Sequence, residues 1–125
     1  SGSKFNLDVN NIRINCPSDI SCDQMTINAQ NGRNLYMECN EPQSCIGTYI
    51  QCPRRNCDIS CIGDKSCSDM TILNEDGYDG NNPSCDTASA TSCSNTNIQC
   101  GSDLSSQCQM EYDATTSTWD CNGNC

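Results

Sequence analysis

The chain has 125 residues, 16 acidic against 6 basic side chains, a formal net charge of −10, no histidine and 14 cysteines. Leu, Ile, Val and Phe fill only 16 positions, too few for folding by burial alone at that charge. The cysteines point instead to one small domain held by cross-links in an oxidising compartment. The charge excludes a nucleic-acid partner, because phosphate contacts need basic side chains, and the lack of a long apolar run excludes a membrane-spanning helix.

In chain order, the predicted elements are short strands with period-2 alternation. Phe5, Leu7 and Val9 alternate with polar residues. No basic-then-apolar leader precedes them, so any secretory signal is expected to have been removed. Ile12, Ile14 and Cys16 alternate with Arg13 and Asn15, and Pro17 marks a turn. Met25, Ile27 and Ala29 alternate with Thr26 and Asn28 and run into the turn Gln30-Asn31-Gly32. Leu35, Met37 and Cys39 follow, then Asn40-Glu41-Pro42; Thr48, Ile50 and Cys52 follow, then Pro53. Ile59 and Cys61, Met70 and Ile72, and Thr96, Ile98 and Cys100 continue the pattern. Residues two apart share a face, so the Ile, Met and Cys set faces inward and the polar set faces water.

These elements repeat. DQMTI (Asp23–Ile27) recurs as SDMTI (Ser68–Ile72), and IGTYIQC (Ile46–Cys52) as SNTNIQC (Ser94–Cys100). A first cysteine (Cys16, Cys39, Cys61, Cys85) and a second (Cys22, Cys45, Cys67, Cys93) both recur with a period of about 23 residues. Two strands per coil at one register predict an all-β fold: a disulfide-stapled parallel β-solenoid of four to five coils, in which stacking supplies the core. Residues 1–125 are expected to form a single such domain, a segment or subunit of a longer array, with an acidic insertion loop over 74–84. The final cysteine is followed by no capping helix, and open sheet edges pair unless covered, so end-to-end stacking is expected.

The repeats also suggest the cysteine pairing. First and second coil cysteines occur together in every coil, whereas Cys52 and Cys57 recur only as Cys100 and Cys108. Positions gained and lost together are expected to be partners: Cys16–Cys22, Cys39–Cys45, Cys52–Cys57, Cys61–Cys67, Cys85–Cys93, Cys100–Cys108 and, by remainder, Cys121–Cys125. The rival map joins stacked coils, for example Cys16 to Cys39. Each local bridge closes a corner and removes roughly 2–2.5 kcal/mol of unfolded-state freedom.

Candidate chemistry is sparse. Zinc and thiol-redox sites favour closely spaced C-x2-C pairs; this chain has none, and Cys57-x3-Cys61 and Cys121-x3-Cys125 are poor substitutes. Calcium fits the insertion better, with Asp76 and Asp79 as ligands among the oxygen-rich residues 74–82, although the spacing is not that of an EF-hand and a solvated turn explains it equally. Without histidine no Ser-His-Asp or Cys-His site forms, and no enzyme is expected. Tyr36 and Tyr49 are candidate platforms for an extracellular glycan, against the plainer reading of amphipathic residues on an exposed sheet. The outward pairs Thr26/Asn28, Tyr49/Gln51, Thr71/Leu73 and Asn97/Gln99 interrupt the flat Thr-x-Thr array that insect antifreeze solenoids present. No N-glycosylation sequon occurs; the hydroxyl-rich stretches 87–92 and 115–118 are candidate O-glycan acceptors.

The phrase I-x-C … C-x-x-[MT]-x-I-x-C, carried by Ile50-Gln51-Cys52, Cys67–Ile72 and Cys93–Cys100, resembles the cysteine-rich β-helical repeats of secreted and cell-surface proteins of protists and algae, including filaments of the mastigoneme type. The resemblance covers residues 11–112. It implies a structural component of an extracellular filament, wall or coat that self-associates with neighbouring repeats, and it brings no catalytic residue and no cofactor. The competing expectation is a monomeric cell-surface module that binds glycan, protein or calcium.

Overall fold

The computed structural model describes residues 4–6, 10–19, 21–75 and 83–125. The described residues contain no helix and form a parallel β-solenoid of about four turns. One strand type comprises β1 (Lys4–Asn6), β3 (Thr26–Asn28), β5 (Tyr49–Gln51), β7 (Thr71–Asn74) and β9 (Asn97–Cys100). The other comprises β2 (Asn11–Asn15), β4 (Asn34–Cys39), β6 (Asn56–Cys61) and β8 (Ser84–Cys85). The first set stacks in the order β1-β3-β5-β7-β9 and the second in the order β2-β4-β6-β8, all parallel.

The register places like residues in columns. Phe5, Ile27, Ile50, Ile72 and Ile98 are successive partners in the first sheet. Ile14, Met37 and Ile59 are partners in the second, and Cys39, Cys61 and Cys85 continue beside them. The predicted inward residues Ile27, Ala29, Leu35, Met37, Ile50, Ile59, Met70, Ile72 and Ile98 are all buried. Leu73 departs from expectation: placed on the outward side by alternation, it is only 7% exposed, between the half-buried Gln51 and Gln99. Leu7 and Val9 lie outside the described residues.

The corner between the second-type and first-type strands is a third stacked face. Cys22 N donates to Ser44 O (2.8 Å), Cys45 N to Ser66 O (2.9 Å) and Cys67 N to Ser92 O (2.7 Å). The residue two positions before each of β3, β5, β7 and β9 takes the left-handed conformation, at Gln24, Gly47, Asp69 and Asn95, and Gln43, Gly63 and Lys65 earlier in the corner also have positive φ. The next inward position alternates Met25, Thr48, Met70, Thr96, large against small. Thr48 Oγ1 donates to the Cys22 carbonyl at 2.8 Å, and Thr96 Oγ1 donates to that of Cys67, so each buried hydroxyl is satisfied by the coil behind it. Four disulfides, Cys16–Cys22, Cys39–Cys45, Cys61–Cys67 and Cys85–Cys93, close this corner in successive coils. Cys52–Cys57 closes the opposite corner once.

The last two pairings correct the sequence reading. Beyond β9 the chain begins no further coil. It turns back through 101–105 into β10 (Ser106–Asp113), which runs antiparallel to β9, and β11 (Thr118–Gly123) runs antiparallel to β10. Cys100 is opposite Ser106 and Cys108 opposite Ile98, so the two cysteines expected to pair are offset along the ladder. The returning strand instead forms Cys108–Cys121 and Cys100–Cys125, with Cα separations of 5.4 and 5.9 Å. Gly123 permits this approach: its φ is +147°, and a Cβ there would lie 2.6 Å from Cys108 Cα.

Two buried hydroxyls, Ser44 Oγ and Ser66 Oγ, have no hydrogen-bond partner, unlike Thr48. Ser44→Ala is therefore expected to be neutral or stabilising, within about 1 kcal/mol, whereas Thr48→Val costs about 1–2 kcal/mol through the lost bond to Cys22. Guanidinium denaturation with the disulfides intact ranks the two, and the reverse order would refute the hydrogen-bond assignment.

Candidate functional site at the amino-terminal edge

The two ends of the stack differ, and one column shows it. Phe5 is 43% exposed, whereas Ile98, at the other end of the same column, is 2% exposed. At the C-terminal end β10 and β11 cover the last coil: Cys108 and Met110 are buried, and Trp119 and Cys121 pack against the core. Trp119 Nε1 donates to the Asp86 and Ser89 carbonyls at 3.0 and 3.1 Å, and the Tyr112 hydroxyl donates to Thr87 O at 3.0 Å. The two rings meet at 5.2 Å. The hairpin thus spans from the first sheet to the corner that follows the second.

The amino-terminal edge has no such cover among the described residues. β1 and β2 are each paired on one side only, so they present strand edges able to accept another strand. An open groove of about 490 Å³ lies there, lined by Phe5, Ile12, Ile14 and Met25 with the exposed Asn11, Arg13 and Asn15. An asparagine ladder runs toward it: Asn56 Nδ2 donates to Asn34 Oδ1 (2.7 Å), and Asn34 Nδ2 to Asn11 Oδ1 (2.8 Å). Asn11 ends the ladder with its own amide N–H groups unused within it. The recurrence of Asn11, Asn34 and Asn56 at the coil period is a sequence signal that alternation of apolar residues does not reveal.

The other candidate residues are dispersed. Tyr36 lies on β4 and Tyr49 on β5, in different sheets, so they form no joint sugar platform. Arg13 stacks over Tyr36 at 5.4 Å and lies 4.0 Å from Glu38, an exposed arrangement of small energetic weight. Thr26, Tyr49, Thr71 and Asn97 do form one outward column, in which tyrosine and asparagine interrupt the threonines. Asp76 and Asp79 lie outside the described residues. Just before them, Glu75 accepts from Gln30 Nε2 at 2.9 Å. All fourteen cysteines are in disulfides. Among the described residues the cluster spaced for a metal is Cys16, Cys22 and Cys45, whose sulfurs are already bonded and carry no thiolate to donate.

These features define a class: a disulfide-stapled β-solenoid with one covered end and one open edge. No family model, curated protein or solved structure matches the chain. No described helix is long and apolar enough to cross a membrane.

Among the described residues, the carboxylates with depressed pKa values, Asp103 and Asp113, lie at the covered end. Asp103 is lowered mainly by hydrogen bonds from the Ser105 hydroxyl and backbone, in the turn before β10. Asp113 is lowered mainly by the Thr115 backbone N–H, in the turn before β11. Because each folded value lies below the ordinary 3.8, their stabilisation is complete above that pH and is lost as pH falls through the depressed values. Trp119 emission is expected to report loosening of the hairpin below pH 3.8. The variants Asp103→Asn and Asp113→Asn, which keep an acceptor but no charge, should lose that component; an unchanged acid profile would reject it.

Proposed function

We propose that this chain is a structural unit of an extracellular filament, wall or coat, joined to another β-coil through its amino-terminal edge. The observation that carries the proposal is the contrast within one column, Phe5 at 43% exposed against Ile98 at 2%. Seven disulfides in a chain with so few large aliphatics support an oxidising, extracellular setting, and a bridge at the same corner of four successive coils suits a rod that bears load or resists proteolysis. The proposal assigns no catalysis. Its resemblance to mastigoneme-type repeats rests on cysteine and strand spacing.

The joining surface is argued from register. A coil added at β1 and β2 would continue the apolar columns and accept a hydrogen bond from Asn11. With the other end covered, the unit adds through one end, either onto a preceding coil or face to face with a second copy in a closed two-fold pair. A cell-surface binding role is the second reading, favoured by an uncompensated arginine corner.

Size-exclusion chromatography with light scattering, and negative-stain microscopy of unreduced protein, test the assembly. A concentration-dependent dimer of about twice the rod length is expected, abolished by Phe5→Asp or Ile14→Lys. A strict monomer at every concentration, or a dimer indifferent to both substitutions, would reject the edge as the joining surface.

A further inference from the structure

Half of the basic residues sit together. Of six lysines and arginines in a chain of net charge −10, Arg33, Arg54 and Arg55 line one open cleft of about 520 Å³ with Gln30, Asn31 and Gly32. The cleft spans two coils at the corner leading from first-type to second-type strands. Arg33 precedes Asn34 and Arg55 precedes Asn56, and these asparagines are direct partners in the parallel ladder. The Asn56 N–H also donates to the Arg33 carbonyl at 3.1 Å. Arg33 and Arg55 therefore leave the backbone at stacked positions, roughly 4.8 Å apart as adjacent strands are. Like charges at such positions repel. Among the described residues no ion pair offsets any of the three.

The loop that carries two of them is short and cross-linked. Cys52–Cys57 closes it, Pro53 within it is buried, and Arg54 and Arg55 are exposed. The adjoining turn is fixed by Gly32 N to Ala29 O (2.9 Å) and Gln30 N to Asn28 Oδ1 (3.2 Å). Gln30 is committed to Glu75 through Nε2 and accepts from Gln51 at 3.4 Å through Oε1. Asn31 is exposed, and its amide is available to a ligand.

We propose that this corner binds a short anionic saccharide, its carboxylate or sulfate held by Arg33, Arg54 and Arg55 and its hydroxyls by Asn31. Guanidinium forks match carboxylate and sulfate oxygens in paired hydrogen bonds. The net charge limits the ligand's length. At physiological salt fields decay over about 8 Å, so a ligand confined to the cleft meets three positive charges, with the Glu75 carboxylate behind Gln30 as the nearby opposing charge, whereas an extended polyanion would also meet the acidic remainder of the surface. This site stands apart from the amino-terminal edge and does not rest on the assembly role.

Calorimetric titration of the intact, unreduced chain tests it with a sulfated disaccharide, a uronic-acid disaccharide, their neutral counterpart and inorganic sulfate. One or both anionic sugars should bind with an affinity that falls as salt rises, and which of them binds separates sulfate from carboxylate recognition. Arg54→Gln and Arg55→Gln should each lower affinity about tenfold, the scale of one lost charge-assisted hydrogen bond. Lys65→Gln, in the disulfide-closed corner, should leave it unchanged. Equal binding of the neutral sugar, equal binding of inorganic sulfate, indifference to both arginine substitutions, or no binding by either anionic sugar would each overturn the assignment. Arginine substitutions that alter dimerisation and not sugar binding would overturn it too, giving the corner to a protein partner.

Discussion

A single coil of this chain encloses almost nothing, and the rest of the structure depends on that. Each turn brings inward two or three apolar side chains per strand, which are buried only when the next coil lies over them in register. The constraint is therefore one of period: each coil must return its strands to the same height and face, because a one-residue slip would turn Ile27 or Ile50 to solvent. The disulfide ladder Cys16–Cys22, Cys39–Cys45, Cys61–Cys67 and Cys85–Cys93 holds the long corner to one path. Left-handed residues at Gln24, Gly47, Asp69 and Asn95 recur at the same position in each coil. Cross-links thus set the geometry in which a sparse core becomes continuous, besides restricting the unfolded chain.

The same constraint explains what was legible in the sequence. Period-2 alternation and cysteine recurrence report register directly, and five of the seven pairings followed because those bridges close corners that repeat. The reasoning failed at Cys100, where the repeat ends. Matching Cys100 to Cys52 was sound as strand alignment, since both follow Ile-Gln, but extending the match to Cys108 assumed another parallel coil. The signal for reversal was present in two alternating segments either side of Asp113-Ala114-Thr115-Thr116, the pattern of an antiparallel hairpin. The asparagine ladder was missed for a different reason. Its members are polar, and polar residues at strand starts read as turn formers unless their spacing is compared between coils.

The ends of a solenoid raise the same physical question with opposite answers here. The hairpin covers the last coil by changing the sense of strand pairing and by placing Trp119 and Tyr112 against the carbonyls of 86–89. That solution needs no polar helix, and it leaves Ile98 as dry as residues in the middle of the stack. Nothing comparable covers β1 and β2 among the described residues. Among the described residues, then, one end of the stack is covered by antiparallel strands and the other presents β1 and β2 each paired on one side only.

The two corners of each coil divide the remaining roles. The corner closed by the disulfide ladder varies less between coils, its paired cysteines standing six residues apart in three coils and eight in the fourth, and stacked backbone hydrogen bonds tie each turn to the next. The opposite corner is also tied between coils, by Ala29 N to Gln51 O and Cys52 N to Leu73 O among others, but it differs more in length, spanning 29–33, 52–55 and 75–83 in the first three coils. A solenoid tolerates change there because a loop can leave and return to the stack without altering the height at which the next strand begins. The uncompensated arginines and the acidic insertion both fall on this variable corner, whereas the residues that set register do not. The residues that differ most between coils thus lie on one corner, and those that set the register lie on the strands and the disulfide-closed corner.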